Sequence, residues 1–361
     1  MKVFMFPGQG SQARGMGGAL FDEFKDLTAR ADEVLGYSIK ELCLQDPRRE
    51  LSKTRFTQSA LFVVNALSYY KKVKDTGRQP DYLAGHSLGE LNALLAAECF
   101  DFETGLKLVQ KRGELMSEVA NGAMAAILNA SKDEIVAILE RNGLNNIDLA
   151  NYNTPSQIVI SGLTDEIGRA QQFFQSGKML YYPLNTSGAF HSRFMWTAKD
   201  KFNTFLKRFE FADPKIPVIA NVTAQPYGSG DIVDNLSNQI SSTVRWCESV
   251  QYLMQLAASR GDSIDLEEVG YGDVLTKIAV TIKQQTPPAA VSNQAPVRRT
   301  AAEKVAAWNG RHPIGTKVRS LTADSGDLET RTSAVVLFGH RAAVYMKGYN
   351  GYFDLDELAP T

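Results

Sequence analysis

Along most of the chain, segments with the hydrophobic pattern of a buried strand alternate with segments that have the pattern of an amphipathic helix. A short apolar run at Lys2–Phe6 predicts a buried strand, and Tyr82–Ala84 predicts a second one. Apolar residues recur at helical spacing in 58–74, in Leu88–Ala97 and in 102–119. Because the strands are separated by helices, this pattern predicts an α/β domain with a mainly parallel sheet.

The middle segment of the chain has a different predicted order of strands and helices, βαββαβ. This order is typical of a ferredoxin-like domain, and we interpret residues 122–188 as such a domain inserted into a larger one. Ser131 and Glu134 form a capping-box pattern at its first helix. The elements are predicted as strand 123–128, helix 132–141, strands 147–151 and 157–161, a helix that Thr164 caps and that runs to about 175, and strand 178–184.

The α/β pattern then resumes. It predicts helix 193–208, a proline-bounded strand at 216–221, a helix that carries Gln239, a helix from Trp246, and a strand into Glu268. The α/β core therefore comprises 1–121 and 189–284, and its hinges with the insert are where we expect a cleft.

The chain changes character after the core. Proline, alanine, glutamine and serine dominate a predicted linker, 285–310, with a short helical piece near Lys304. Residues 311–361 read as a short β-rich extension, with strands at 316–321, 328–338 and 341–353 and a turn at Gly339–His340. Its aromatic residues predict that it packs on the main body or on a partner.

Composition excludes several classes of function. The 361 residues are 44% hydrophobic and 22% charged, with a net charge of −1, so neither nucleic-acid nor anionic-membrane binding is expected. The three cysteines are scattered, which predicts neither a disulfide framework nor a metal site. We find neither an apolar run of transmembrane length nor a signal peptide, and so expect a cytoplasmic enzyme.

Gly85–Gly89 has the sequence G-H-S-L-G, which matches G-x-S-x-G. A strand, a tight turn and a helix in this order are the context of a nucleophile elbow, and the serine is Ser87. Glycines let the strand and the helix approach closely, and the helix N-terminus favours negative charge. In a chain with 28 glycines the pattern also occurs by chance, and the flanking elements are what favour the elbow.

The loop after the first strand admits two interpretations. Gly8, Gly10 and Ala13 fit a relaxed dinucleotide-binding pattern, which also needs a second strand ending in an acidic residue about 20 residues later. The segment around Asp32 looks helical instead. We therefore favour a loop that presents backbone N–H groups to an active site.

Two further residues are candidates for chemistry. His191 is one of only four histidines and follows the insert, so it is either a general base at the cleft or a packed histidine at a domain junction. Arg112 lies on the apolar stripe of helix 102–119. It either extends its charged end to solvent or binds a substrate carboxylate with both arms of its guanidinium.

Several motifs together resemble one family. They are FPGQGSQ, GHSLGE, QKRGELM, ANYNTPSQIVISG, GAFHS, Gln239 with Arg245-Trp246, and EVGYGDVL, and they lie in order over about residues 1–285. The chain thus resembles the malonyl-CoA:acyl-carrier-protein transacylases and the acyltransferases of polyketide synthases. The resemblance implies a hydrolase-like core with a ferredoxin-like insert, and no bound cofactor or metal.

The resemblance also implies roles for single residues. Ser87 would be the nucleophile and His191 its base, as a dyad without a catalytic aspartate. The backbone N–H groups of Gln9 and Leu88 would form the oxyanion hole. The substrate-binding residues it implies are Arg112 for the malonyl carboxylate, Gln239, Phe190 and His86.

Phe190 carries a specificity hypothesis. The family resemblance links Ala-Phe-His to malonyl selection and Ala-Ser-His to methylmalonyl selection. Phe190 would then fill the space that an α-methyl group needs, which predicts a preference for malonyl-CoA.

The resemblance implies an acyl carrier protein as partner, and three enzyme functions remain open. The extension favours a free-standing acyltransferase that serves polyketide synthases, with the extension as a docking surface or the remnant of a fusion. A fatty-acid malonyl transacylase would use the same chemistry with another carrier. An acyl hydrolase of the same fold often lacks the arginine, so Arg112 disfavours it. A non-enzymatic docking module would not need both Ser87 and His191.

Overall fold

The computed structural model describes residues 1–186, 188–287, 301–320, 328–337, 341–349, 352–355 and 358–360. The chain divides into two compact units, Met1–Ala289 and Ala290–Thr361. Part of the predicted linker and the turn expected at Gly339–His340 lie outside the described residues. No helix in the described ranges is long and apolar enough to cross a membrane.

The first unit alternates strands and helices from its first residues. Short 3₁₀ turns occur at Gln171–Phe173 and Arg193–Met195. Its elements are β1 (Lys2–Phe6), α1 (Leu20–Glu23), α2 (Lys25–Leu35), α3 (Ile39–Leu44), α4 (Thr54–Thr76), β2 (Tyr82–Gly85), α5 (Gly89–Ala96), α6 (Phe102–Ser117), β3 (Gly122–Leu128), α7 (Lys132–Arg141), β4 (Ile147–Thr154), β5 (Gln157–Leu163), α8 (Thr164–Ala170), β6 (Leu180–Pro183), α9 (Trp196–Leu206), β7 (Val218–Ile219), α10 (Ile232–Gln239), α11 (Trp246–Ser259), β8 (Asp265–Glu268) and α12 (Val274–Gln285).

The main sheet is parallel, in the order β7-β2-β1-β8. Apolar side chains of β1 are buried on both faces, as its continuous apolar run predicts. The strand predicted at 216–221 is only Val218–Ile219. Pro217 has no N–H to extend the ladder, and the N–H of Ala220 turns back to Gln225.

Two helix predictions need correction. The helix predicted from residue 58 begins at Thr54, and the prediction starts late because the polar residues Thr54 and Thr57 of its first turn are buried and give no amphipathic signal. Thr164 is the first residue of α8 rather than its cap, and Leu163 in the cap position makes no side-chain hydrogen bond. This helix ends at Ala170 and is followed by the 3₁₀ turn, short of the expected 175.

The segment around Asp32 is helical, so the dinucleotide pattern lacks its second strand.

Residues 122–183 form an antiparallel sheet in the order β4-β5-β3-β6. The succession of strands and helices is the predicted βαββαβ, and the capping box at Ser131 is present. Ala125 and Ile127 pack in the local core that α7 and α8 cover, whereas Met124 and Ala126 pack into the main core. One face of the small sheet is therefore continuous with the core that supports the site.

The second unit has a small core of its own. Its elements are α13 (Ala301–Asn309), β9 (Lys317–Ser320), β10 (Leu328–Glu329), β11 (Val335–Leu337), β12 (Arg341–Tyr345), β13 (Tyr352–Asp354) and β14 (Leu358–Pro360). They form two antiparallel sheets, β10-β9-β14 and β11-β12-β13. Val305 and Trp308 pack against its buried residues, so the helix expected near Lys304 is part of this unit. The strand predicted at 328–338 is two strands, β10 and β11, and the strand predicted at 341–353 is also two, β12 and β13.

Candidate active site

Ser87 occupies a sharp turn between β2 and α5. Its φ is +51°, a left-handed conformation that non-glycine residues rarely adopt. A Cβ on Gly85 would lie 2.0 Å from backbone atoms of Gly89, and a Cβ on Gly89 would lie 2.0 Å from the carbonyl oxygen of Phe6. The two glycines are therefore required by close packing, and the predicted strand–turn–helix is present.

The loop Pro7–Gly10 lies against this turn. A Cβ on Gly8 would lie 2.4 Å from the carbonyl oxygen of His86 and 3.6 Å from the nitrogen of Leu88. The buried amide of Asn65 holds the loop by donating to the carbonyl of Pro7 at 2.9 Å. Within the part of the chain that the structure describes, the N–H groups of Gln9 and Leu88 have no acceptor. Both can therefore donate to a ligand oxygen.

Ser87 and His191 are within hydrogen-bond distance although 104 residues separate them. Ser87 Oγ lies 2.8 Å from His191 Nε2, and His191 Nδ1 lies 2.7 Å from the backbone carbonyl oxygen of Gln239. Because a carbonyl only accepts, Nδ1 carries the proton and Nε2 is free to accept from Ser87. Burial, reinforced by the nearby charge of Arg112, lowers the pKa of His191 to about 3, which keeps the imidazole neutral.

Arg112 on α6 is 1% exposed and points into the site. Its Nη2 donates to Gln239 Oε1 at 2.7 Å and to Ser87 Oγ at 3.1 Å, and its Nη1 donates to Gln58 Oε1 at 2.8 Å. Its Nε has no hydrogen-bond partner within the described ranges. Burial lowers the pKa of Arg112 to about 10, so the guanidinium is still charged at neutral pH. Because it is buried, the arginine does not extend its charged end to solvent. Among the described residues it forms no salt bridge.

Gln239, at the end of α10, is fully buried and links these groups. Its Nε2 donates to the carbonyl oxygen of Ser87 at 2.8 Å and to the Glu90 carboxylate. Asn221 completes the support, because its Oδ1 accepts from Ser87 N at 2.7 Å and its Nδ2 donates to Gly85 O at 2.6 Å. The backbone of the turn is thus held by side chains from two distant segments.

Three supporting residues, Gln58, Glu90 and Asn221, were not assigned roles from the sequence. A signal existed for Glu90, a carboxylate within the apolar stretch Leu88–Ala97, and for Asn221, which follows the carboxyl end of a strand in a parallel sheet. Gln58 gave none, because its helix carries polar residues on several faces.

The remaining predicted residues lie at the edges of this arrangement. Phe190, which precedes His191 in the chain, is 4% exposed and packs in the main core. The His86 imidazole does not reach Ser87 Oγ. Its Nε2 lies 2.8 Å from Asn153 Oδ1, and its ring centroid lies 5.5 Å from that of Trp246.

Nothing among the described residues resembles a metal centre, since no group of three or more His, Cys, Asp or Glu side chains is placed to hold an ion. The cysteines Cys43, Cys99 and Cys247 are buried and unpaired. The chemistry that the geometry offers is therefore carried by one hydroxyl, one neutral imidazole, one buried cation and two free N–H groups.

Comparison with known proteins gives consistent matches. A model of the acyl transferase domain matches residues 3–263. The polyketide biosynthesis malonyl CoA-acyl carrier protein transacylase PksC of Bacillus subtilis is 53% identical over 286 residues, which are 79% of this chain and 98% of that protein. The crystal structure of malonyl CoA-acyl carrier protein transacylase from Burkholderia pseudomallei matches with a TM-score of 0.79 and 61% identity, over 80% of this chain and 99% of that chain.

A solved complex is also similar. It contains AntF, a type II polyketide synthase acyl carrier protein, with its malonyl-transacylase PlMCAT. The match has a TM-score of 0.73 and 33% identity, over 78% of this chain and 93% of that chain.

Proposed function

The chain belongs to the acyl transferase family, and from this premise we propose that it transfers malonyl groups from malonyl-CoA to the phosphopantetheine thiol of an acyl carrier protein. The observation that carries the proposal is the position of Arg112, a buried cation 3.1 Å from Ser87 Oγ. A carboxylate two bonds beyond a carbonyl that Ser87 attacks is within reach of that cation.

Ser87 and His191 supply the covalent step. As Ser87 Oγ attacks the thioester carbonyl carbon, its proton passes to Nε2 of His191. The carbon–sulfur bond then breaks, His191 returns the proton to the coenzyme A thiolate, and a malonyl-serine ester remains. The backbone carbonyl of Gln239 keeps the imidazole in the tautomer that this requires, in place of a carboxylate.

The oxyanion of the tetrahedral intermediate needs donors that are already in place. We assign this role to the N–H groups of Gln9 and Leu88, which lie beside the turn without other acceptors. A preorganised donor of this kind contributes about 3–4 kcal/mol to transition-state stabilisation.

Arg112 selects the substrate. Gln58 and Gln239 fix the guanidinium, and a malonyl carboxylate would bind its remaining N–H groups with two charge-assisted bonds. An acetyl group would offer this cation no carboxylate to bond with directly in a desolvated site, at a cost of several kcal/mol relative to malonyl. Phe190 is the residue we assign to exclusion of an α-methyl group. We propose that His86 lines the substrate site together with Asn153 and Trp246, the residues that its imidazole contacts.

The second half-reaction returns the malonyl group to sulfur. The phosphopantetheine thiol of the carrier attacks the ester carbonyl, His191 accepts the thiol proton, and Ser87 leaves with that proton. We infer that the chain acts in trans for polyketide synthases, because PksC, which is 53% identical to it, is described as a polyketide biosynthesis malonyl CoA-acyl carrier protein transacylase. The carrier as partner is supported by the similar AntF complex.

We extend the proposal to fold and location. The parallel core and the β4-β5-β3-β6 sheet support a hydrolase-like core with a ferredoxin-like insert over 122–188. The β-rich second unit is our candidate for contact with synthase modules, and a cytoplasmic location is consistent with a soluble substrate and carrier.

Intact-protein mass spectrometry tests the proposal. Malonyl-CoA, methylmalonyl-CoA and acetyl-CoA are mixed separately with wild type, Ser87→Ala and Arg112→Ala. We expect a malonyl adduct on wild type only, and an acetyl adduct on Arg112→Ala. Rapid release of free acid without a stable adduct would favour the acyl hydrolase instead. Transfer to fatty-acid carriers in preference to polyketide carriers would favour the fatty-acid role.

A further inference from the structure

The charge of Arg112 raises a question that the proposed reaction does not answer. Among the described residues, this buried cation donates hydrogen bonds only to the neutral oxygens of Gln58, Ser87 and Gln239. A buried charge without an anionic partner is strongly destabilising. The empty site therefore needs a negative charge nearby.

Glu90 supplies that charge from behind the site. It lies in the first turn of α5, is 0% exposed, and every contact of its carboxylate is a donor. Its Oε1 accepts from Tyr227 Oη at 2.5 Å and from the N–H of Asn221 at 3.1 Å, and its Oε2 accepts from Gln239 Nε2. Three donors and no acceptor suit an ionised carboxylate.

The Gln239 amide connects the two charges. Its NH₂ group faces Glu90, so its oxygen faces Arg112 at 2.7 Å. With the amide reversed, NH₂ would meet the guanidinium and the oxygen would meet the carboxylate, which is unfavourable at both ends. Glu90 therefore fixes the orientation in which Gln239 accepts from Arg112.

We propose that Glu90 is the counter-charge of Arg112 in the empty site, acting as a positioning residue through Gln239, and that a bound malonyl carboxylate takes over this role while Glu90 takes up a proton. The inference rests on the proposed function, because it requires a malonyl carboxylate at Arg112. Two carboxylates beside one cation in a buried site repel each other, so binding of one favours protonation of the other.

The surroundings allow this exchange near neutral pH. Burial, partly offset by the hydrogen bonds and by Arg112, raises the pKa of Glu90 to about 7. The charged or titratable groups that face Glu90 are Arg112 from α6 and Tyr227 from the segment after β7, and beyond Tyr227 lie Cys99 and Asp231. His191, with a pKa of about 3, is too weak a base to take up this proton at pH 7.

The proton balance of loading makes the effect measurable. Serine and malonyl-CoA give a serine ester and free coenzyme A, and the serine proton ends on the thiol. Below the ordinary thiol pKa of about 8.5 the chemistry itself neither takes up nor releases a proton. Any net uptake at pH 7 therefore reports a change in the protein.

The experiment loads concentrated enzyme with malonyl-CoA in weak buffer at pH 7, with an indicator dye for protons and mass spectrometry for the ester in the same samples. Wild type is expected to take up about half a proton per ester, since a group near half-titration becomes almost fully protonated. Glu90→Gln is expected to take up none. Glu114→Gln, the same change on the exposed face of α6, is the matched control and should behave as wild type.

The outcomes separate the two proposals. Failure of wild type to form the ester would reject the proposed function. An ester without proton uptake, or the same uptake in Glu90→Gln, would reject the role of Glu90 and leave the proposed function standing. In the second case, the imidazole of His86 would be the next candidate for the site of proton uptake.

Tyr227→Phe keeps the proposal testable if Glu90→Gln does not fold. It removes a donor to the ionised carboxylate, so the pH of greatest proton uptake should rise. An unchanged pH profile in a folded Tyr227→Phe protein would overturn the assignment.

Discussion

The backbone carbonyl of Gln239 accepts a hydrogen bond from Nδ1–H of His191, at 2.7 Å. The orientation of the base therefore depends on the path of the main chain rather than on a side chain. The side chain of the same residue serves Arg112 and the Ser87 turn instead. One residue thus supports the base and the carboxylate-binding cation by separate groups, which substitution can separate.

Gln239→Ala should keep the base oriented and weaken malonyl recognition. It removes the acceptor for Arg112 Nη2 but leaves the carbonyl that binds His191. We expect kcat/KM for malonyl loading to fall about tenfold to a hundredfold, the effect of losing a hydrogen bond to a charged group. Acetyl loading should change much less. Stopped-flow loading with both thioesters measures this, and equal losses for the two substrates would contradict it.

His191 should make stability depend on pH. Its pKa is about 3 in the folded protein and about 6.5 when unfolded, so between these values the unfolded chain binds a proton that the folded one does not. The free energy of unfolding should therefore rise with pH in this window, and stability should be lost as pH falls below about 6.5. Urea unfolding of wild type and His191→Gln from pH 7 to 5 should show a slope difference of up to about 1.4 kcal/mol per pH unit. Parallel curves would contradict the buried neutral imidazole.

Gly8→Ala should separate oxyanion stabilisation from substrate binding. Its Cβ would lie 2.4 Å from the carbonyl oxygen of His86, so the loop that carries the Gln9 N–H must move away. We expect kcat to fall about a hundredfold, the effect of losing one oxyanion donor, with a smaller change in KM. Gly168→Ala in α8 is the control, because its Cβ meets nothing within 4 Å. Full activity of Gly8→Ala would remove Gln9 from the oxyanion hole.

Phe190→Ser should relax the exclusion of methylmalonyl-CoA. Phe190 is 4% exposed and directly precedes His191, and the loss of its ring opens space in the main core. The cavity should also cost about 3–5 kcal/mol of folding stability, so the variant must be assayed well below its Tm. A competition assay with the two thioesters measures discrimination. Unchanged discrimination in the folded variant would reject the steric role of Phe190.

Local pattern predicted the parts of the site that belong to one segment. The turn at Ser87 could be read from five consecutive residues and their flanking strand and helix. The pairing of Ser87 with His191, and the role of Arg112, needed the family resemblance, because no periodicity relates residues 104 positions apart.

Local pattern could mark two of the buried polar residues, Glu90 and Asn221, as unusual, but it could not show what they bind. Gln58, Glu90 and Asn221 come from three segments, and each is satisfied only by partners elsewhere in the chain. Propensity and amphipathicity record whether a residue is polar, but the partner that makes its burial favourable is a tertiary property. For the same reason the strand at 216–221 was overestimated, since Pro217 and the turn to Gln225 shorten it.

The small antiparallel sheet lies in the chain between Ser87 and His191. During synthesis the segment with Ser87 emerges long before His191, and the intervening βαββαβ segment must bring its two ends together before the two side chains can meet. Closing so long a loop is a non-local event, which is slow relative to local helix formation. Reactivity of the serine hydroxyl should therefore appear late in refolding, after helical signal has recovered, so a serine-directed probe would time the closing of the insert against the core.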